Sequence, residues 1–339
     1  MSNTPEPRSD ADRDALEEWL LGQGFDLREA RALPGDISPR RYQRLIAGDG
    51  RTAILAHYPG EIRDDLARFL RSTEILAAAG VPVPRVLAAH APRGWMLVED
   101  LGEPTVADLR HRPWTDLAGW FEDAAALAAR IAALPPAAVA GLNPPLDRDL
   151  MVRELAQTRR CLLEPALPAL PALPPLPQLP AAPVTLDAAL AELCALLAAE
   201  TPVPCHRDFM ARNLMPLGPG RVAVLDHQGL RLGPPAYDLA SLLNDTLFPP
   251  PELERRLVEA HLPGAAGRLR YHRAAAQRTW KAAGTYAAFA RRGSDRHVPL
   301  IGPTVRRFLC HFANTPEGEA LVEALEGAWS GALADLERA

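Results

Sequence analysis

Residues 205–243 read CHRDFMARNLMPLGPGRVAVLDHQGLRLGPPAYDLASLL, and this stretch decides the fold. His206-Arg207-Asp208 is followed by Asn213, and the apolar run Val222 to Leu225 then delivers Asp226. Two carboxylates and one amide thereby converge from a loop and a strand end.

Phosphoryl transfer demands such a set. One carboxylate must orient the attacking hydroxyl and take its proton, while oxygen ligands hold a divalent cation against nucleotide phosphates. Magnesium is a hard ion that accepts a few oxygen donors and fills its remaining positions with water, so one amide oxygen and one carboxylate suffice from the protein. Asp208 is the candidate base, and Asn213 and Asp226 are the candidate magnesium ligands. His206 is expected to pack and shape the loop, and Arg207 to form a structural ion pair. A transition-metal site built from His206, Asp208, Asp226 and His227 lacks the H-E-x-x-H or H-x-H spacing such sites use.

Upstream, Asp14 to Leu21 alternates apolar and acidic residues at helical spacing until Gly22 and Gly24. A mixed run ending at Leu45 and Ile46, the Gly48-Asp49-Gly50 turn and the apolar run from Thr52 to Leu55 signal a hairpin. Residues 61–79 have helical spacing, with Leu66, Phe69, Leu70, Ile75 and Leu76 as the inward face and Gly80 as the stop. VPVPRVLAAH and RGWMLVEDLG read as two more strands. The expectation is α+β: a small antiparallel sheet carrying one helix over residues 1–103, then a mostly helical region over 104–339. Residues 165–183, PALPALPALPPLPQLPAAP, are too rich in proline for helix or central strand and are expected to form an extended, solvated connector.

HRDFMARN, VLDHQ and the later Tyr237-Asp238-Leu239-Ala240 resemble the aminoglycoside-phosphotransferase and choline-kinase-like families, which share a two-lobe, protein-kinase-like fold. The resemblance spans nearly the whole chain. It implies ATP and Mg2+ as cofactors, Asp238 as a prop for the loop backbone, and Leu97 to Gly102 as a hinge strand with its hinge at 99–103. It also places Glu99 and the helix residue Glu74 beside the nucleotide. SPRRYQRL, GVPVPRVLAA, LVEDLG, HRDFMARNLM and PPAYDLASLLNDT are similar, within that family, to bacterial anomeric kinases of N-acetylmuramate and N-acetylglucosamine, which act in cell-wall recycling.

One departure is plain. Kinases of this shape carry a lysine on the third strand that touches the nucleotide phosphates, but TAILAHY has none, and Lys281 is the single lysine of the chain. Arg40, Arg41 and Arg44 are the candidates to supply that charge, with Ser38 in the turn before them covering the phosphates. The missing lysine keeps a non-catalytic nucleotide-binding protein in play beside a sugar kinase and a kinase of another small molecule, such as an aminoglycoside or an amino alcohol.

Composition narrows the partners. A net charge of −5 lacks the basic excess that nucleic acid or an anionic membrane would draw on, and the polar, acidic start offers no targeting segment, so a cytoplasmic enzyme with a small-molecule substrate is expected. Cysteines at 161, 194, 205 and 310 are too scattered for a C-x-x-C pattern. From Arg268 to Arg307 ten basic residues stand against Asp295 alone, which suits a neutral or anionic acceptor; a solvated helix face would look the same. Trp280, Tyr286 and Phe289 fit either a sugar-stacking surface or, at helical spacing, a core.

Overall fold

The computed structural model describes residues 10–27, 30–33, 39–164, 176–177 and 185–338. The chain divides into two compact units, one running to Glu103 and taking in Ala223–Gly229, the other comprising Pro104–Val222 and Leu230–Ala339. Assignment of 223–229 to the first unit differs from the expected split, in which everything after 103 falls in the helical region. The physical reason is a backbone hydrogen bond from Val224 N–H to Pro82 O at 2.8 Å and the packing of His227 on the first unit's helix.

The first unit opens with helix α1 (Asp10–Gly22), whose Leu20 is fully buried beneath the sheet. The sheet has the order β1-β2-β3-β5-β4, built from β1 (Ala30–Ala32), β2 (Arg41–Ile46), β3 (Thr52–His57), β4 (Val86–His90) and β5 (Trp95–Glu99), with every neighbouring pair antiparallel. The β2–β3 hairpin pairs Arg41 with His57 and Ile46 with Thr52, as its turn signal implies. β1 was not anticipated because three residues are too short to carry an alternation.

Helix α2 (Arg63–Ala78) buries Leu66, Phe69, Ile75 and Leu76 as its spacing predicts, and Ser72 and Thr73 besides. It stops where Gly80 takes a φ of 69°, and Val81 N–H reaches back to Leu76 O at 2.9 Å, closing a Schellman cap. VPVPR does not join the sheet: Val81 completes the cap and the prolines have no N–H for a ladder, so β4 begins only at Val86.

The second unit is mostly helical: α3 (Trp114–Ala132), α4 (Pro136–Val139), α5 (Arg148–Thr158), α6 (Leu186–Ala198), α7 (Tyr237–Leu243), α8 (Pro251–His261), α9 (Gly264–Ala290), α10 (Val298–Phe312) and α11 (Glu319–Arg338). Four short strands accompany them: β6 (Val203–Cys205), β7 (Leu214–Gly218), β8 (Arg221–Val224), which runs on into the first unit, and β9 (Arg231–Gly233). The axis is α9. Its Trp280 packs on Phe308 at 4.6 Å and stacks on Trp329 at 5.6 Å, and Tyr286 and Phe289 are buried too, so the three aromatics are core. A Cβ on Gly284 would lie 2.1 Å from Thr158 Oγ1, so only glycine lets α5 lie this close to α9.

Within the proline-rich stretch only Leu176 and Pro177 are described: Pro177 is exposed, as a solvated connector implies, although Trp329 Nε1 donates to its O at 2.8 Å, whereas Leu176 is buried and its N–H donates to Leu162 O at 2.6 Å. The rest of 165–183 lies outside the described residues. Among the described residues no helix is long and apolar enough to cross a membrane.

Between α7, α8, α9 and α10 the second unit buries a polar network. Asn244 Oδ1 receives Arg307 Nε at 3.0 Å and His311 Nε2 at 2.8 Å, and Tyr271 donates to Glu254 at 2.6 Å. His311 Nε2 faces an acceptor and so carries the hydrogen, and the neutral ring's Nδ1 accepts the hydrogen bond that His272 Nδ1–H donates at 3.0 Å. Burial, then the Arg307 charge and His272, hold His311 well below the ordinary histidine range. The unfolded chain protonates this ring near pH 6.5 while the folded one does not, so its contribution is complete above that pH and is lost as pH falls through it. Urea midpoints measured from pH 8 to 5 are expected to fall below about pH 6.5, with a shallower slope in His311→Gln.

Candidate active site

In the second unit β6 feeds the HRDFMARN loop, and β6 is fixed by its antiparallel pairing to β9, Val203 to Gly233 and Cys205 to Arg231. Arg207 has a φ of 77°, a conformation that costs about 1–3 kcal/mol for a non-glycine residue and persists only where its surroundings over-determine it. They do so through Asp238 at the start of α7. His206 N–H donates to its Oδ2 at 2.6 Å and Arg207 N–H to its Oδ1 at 2.9 Å. Arg207 is also held by Glu154 on α5 at 2.7 Å, and His206 is fully buried, edge-on to Phe209. Sequence reading assigned these three roles, and each is where it was placed.

The strained turn presents Asp208 with a third of its side chain exposed. Asn213 Nδ2 donates to the Asp208 carbonyl at 2.8 Å, which fixes the amide's orientation, and its Oδ1 accepts no hydrogen bond among the described residues. Arg212, between them and the core, is gripped by Asp245 at 2.9 Å, and Tyr286 OH donates to the same carboxylate at 3.0 Å.

What sequence reading missed is the set of charges behind Asp208. Lys281 on α9 pairs with Glu154 at 3.0 Å, and Arg278, one turn earlier, places its NH2 3.9 Å from Asp208 Oδ1. Burial raises the Asp208 carboxyl, but Lys281, Arg207 and Arg278, with His206, outweigh it and hold the group well below the usual carboxylate range. The only signal was that Lys281 is the lone lysine of an arginine-rich chain; nothing marked Glu154. Four of the nine arginines of 268–307, by contrast, are paired with acids outside the stretch: Arg268 with Glu259, Arg270 with Glu200, Arg273 with Glu317 and Arg307 with Glu254. Part of the stretch's charge is thereby neutralised, and Arg278 and Lys281 are its members at the base.

The first unit positions Asp226 at a φ of 56°, two residues after the end of β8. Asp226 Oδ1 takes Gln228 Nε2 at 2.9 Å and pairs with Arg40 NH1 at 2.8 Å, whereas its Oδ2 accepts none among the described residues. Arg40 is nearly buried, its guanidinium about 6 Å from the rings of Tyr42 and Tyr58. The next residue, His227, lies on the Phe69 ring at 4.3 Å with Nε2 2.7 Å from Thr73 Oγ1, so it belongs to α2's inner face and not to a metal cluster. Among the described residues no group of three or more His, Cys, Asp or Glu side chains gathers as a metal site.

Of the other sequence candidates, Arg44 is committed to Asp100 at 2.7 Å, Glu103 at 2.6 Å and Gly102 O at 3.1 Å, and so ties β2 to the segment after β5. Arg41 is exposed. Glu74 is 67% exposed and paired with Arg71 on the solvated face of α2, because the inward positions belong to Phe69 and Thr73; the helix glutamate role is not built here. Glu99 is engaged by Arg85 at 3.1 Å. Ser38 lies outside the described residues.

Taken one by one, the donors are of the hard oxygen kind that magnesium takes: Asn213 in the second unit retains an amide oxygen, and Asp226 in the first retains one carboxylate oxygen.

Three comparisons bear on this arrangement. A sequence model of the phosphotransferase enzyme family matches residues 29–276. The chain is 32% identical over 321 residues to the N-acetylmuramate/N-acetylglucosamine kinase of Pseudomonas aeruginosa, covering 89% of this chain and 83% of that one. It is 30% identical over 309 residues to the kinase of the same name from Neisseria meningitidis serogroup B, covering 84% and 86%. In fold it is similar to the aminoglycoside phosphotransferase APH(2'')-IIa seen in a streptomycin–ATP ternary complex, with a TM-score of 0.57 at 14% identity over 87% of this chain and 94% of that chain. Choline kinase LicA from Streptococcus pneumoniae gives a TM-score of 0.57 at 14% identity, over 89% and 100%.

Replacing Asp238 by Ala strips two buried N–H groups of their acceptor, each costing about 1–3 kcal/mol, and releases the strained turn. Urea unfolding of Asp238→Ala is expected to show a loss of about 2–5 kcal/mol.

Proposed function

The chain belongs to the phosphotransferase enzyme family, and from that premise we propose that it moves the terminal phosphoryl group of ATP onto the anomeric hydroxyl of an amino sugar, N-acetylmuramate or N-acetylglucosamine. The observation that carries the substrate is the 32% identity to a kinase of that name over 89% of the chain. The observation that supports the chemistry is Asp208, kept ionised by its cationic surroundings on a turn clamped from beneath by Asp238. Phosphorylation at C1 would return cell-wall amino sugars to biosynthesis.

In this reading Asp208 accepts a hydrogen bond from the sugar hydroxyl, aims it for in-line attack and takes its proton as the new O–P bond forms. A carboxylate with a depressed pKa is a weak base, so its work is mainly orientation, which is what a loose phosphoryl-transfer transition state asks of the protein. Asn213 and Asp226 would hold magnesium, which when bound neutralises charge on the phosphates. Arg40 stands in for the absent strand lysine. It alone of the three arginines proposed from sequence pairs with Asp226, and a guanidinium offers planar, bidentate contacts to phosphate where an ammonium offers a point charge. A polycationic acceptor such as an aminoglycoside is disfavoured by the cations around Asp208.

The direct test is ³¹P NMR of the protein with ATP, magnesium and either sugar. A sugar phosphate resonance coupled to the anomeric proton is expected; its absence with both sugars, while ATP binds, overturns the acceptor. Asp208→Asn should lower kcat by roughly 10² to 10⁴ and leave nucleotide affinity unchanged. Arg40→Ala should weaken ATP binding by roughly tenfold or more, as loss of a charge-assisted contact requires, whereas Arg41→Ala should not; fluorescence titration with a labelled nucleotide separates the two.

A further inference from the structure

Around the base the second unit gathers four cationic side chains, Arg207, Arg231, Arg278 and Lys281, and three carboxylates, Asp208, Glu154 and Asp238, which leaves one positive charge in excess. The nearby Arg212–Asp245 pair is neutral and does not change the balance. Asp238 is consumed by the backbone of His206 and Arg207, Glu154 by Arg207 and Lys281, and Arg231 reaches the Pro144 carbonyl at 3.2 Å.

Among the described residues the charge without a close partner is Arg278. Its side chain is 5% exposed, its NH2 lies 3.7 Å from Met210 Sδ, and the one carboxylate of the described residues within 4 Å is Asp208, at 3.9 Å, too far for a hydrogen bond. Its Nε has no hydrogen-bond partner among them. A buried guanidinium so poorly satisfied is costly unless an anion completes it.

We infer that Arg278 is a further catalytic residue, which binds the phosphoryl group as it arrives on the acceptor oxygen. The inference rests on the phosphoryl-transfer reading above. In that step the acceptor O–H bond breaks and its proton passes to Asp208. The oxygen forms a bond to the terminal phosphorus, and the bond from that phosphorus to the bridging oxygen breaks, its electron pair leaving with the nucleoside diphosphate. The new phosphate monoester brings up to two negative charges to a surrounding that holds one positive charge in excess. The guanidinium thus exchanges a carboxylate 3.9 Å away for phosphoryl oxygens that its fork can bind in pairs.

The test compares wild type, Arg278→Met and Arg278→Lys in two measurements, with thermal unfolding to establish that each variant is folded. Titration with inorganic phosphate in the absence of nucleotide, followed by calorimetry, should show wild-type binding weakened at least roughly tenfold in Arg278→Met and less in Arg278→Lys. With N-acetylglucosamine as acceptor, kcat should drop roughly 10² to 10³ in Arg278→Met, the usual cost of removing one transition-state donor, with the sugar KM nearly unchanged. Unaltered kcat and phosphate affinity in Arg278→Met, a loss confined to sugar KM, or a wild type that binds no phosphate overturns the inference. Should wild type phosphorylate neither sugar, the acceptor proposed above falls, and the phosphate titration alone decides the role of Arg278. If Arg278→Met does not fold, the same two measurements on Arg278→Lys decide, with wild-type values in both overturning the role.

Discussion

The second unit's chemistry depends on one carboxylate that does none of it. Asp238 accepts the N–H groups of His206 and Arg207, and those two bonds hold Arg207 in a left-handed conformation that the residue would otherwise leave. That turn is what lifts Asp208 out of the packed interior while His206 and Phe209 stay buried. The strain at Arg207 is thus opposed by two hydrogen bonds from the loop backbone to a buried carboxylate.

Charge is distributed around Asp208 with the same economy. Glu154 bridges Arg207 and Lys281, so α5 and α9 are joined across the loop, and the absence of a side chain at Gly284 is what lets the two helices approach. The cations left facing Asp208 keep it ionised, and in the proposed reaction such a group orients a hydroxyl more than it strips it. In the first unit the pairing of Arg40 with Asp226 gives the chain a buried cation next to the carboxylate proposed to ligate magnesium. A guanidinium cannot lose its charge on burial as an ammonium does, so it can occupy such a place without neutralising.

Sequence reading went wrong where a role depends on what a side chain meets. Arg40, Arg41 and Arg44 are indistinguishable as letters, yet one pairs with Asp226, one is exposed and one is consumed by Asp100 and Glu103. Glu74 sits at a plausible helix position, but one residue's rotation puts Thr73 inward and Glu74 into solvent. In the basic stretch of 268–307, Arg268, Arg270 and Arg273 are paired with acids from α8, from the segment after α6 and from the loop before α11, pairings that no local pattern encodes.

The sequence by itself determined the antiparallel sheet with its helix α2, the helical remainder and the loop that carries Asp208 and Asn213, because hydrophobic period, turn residues and short motifs are local properties, while the prop at Asp238 followed from the family resemblance. The tertiary structure decided which cations surround Asp208, which arginine meets Asp226, and that residues 223–229 pack with the first unit. Those outcomes arise from contacts between segments tens to more than a hundred residues apart, where complementarity of charge and shape is settled only when the elements pack.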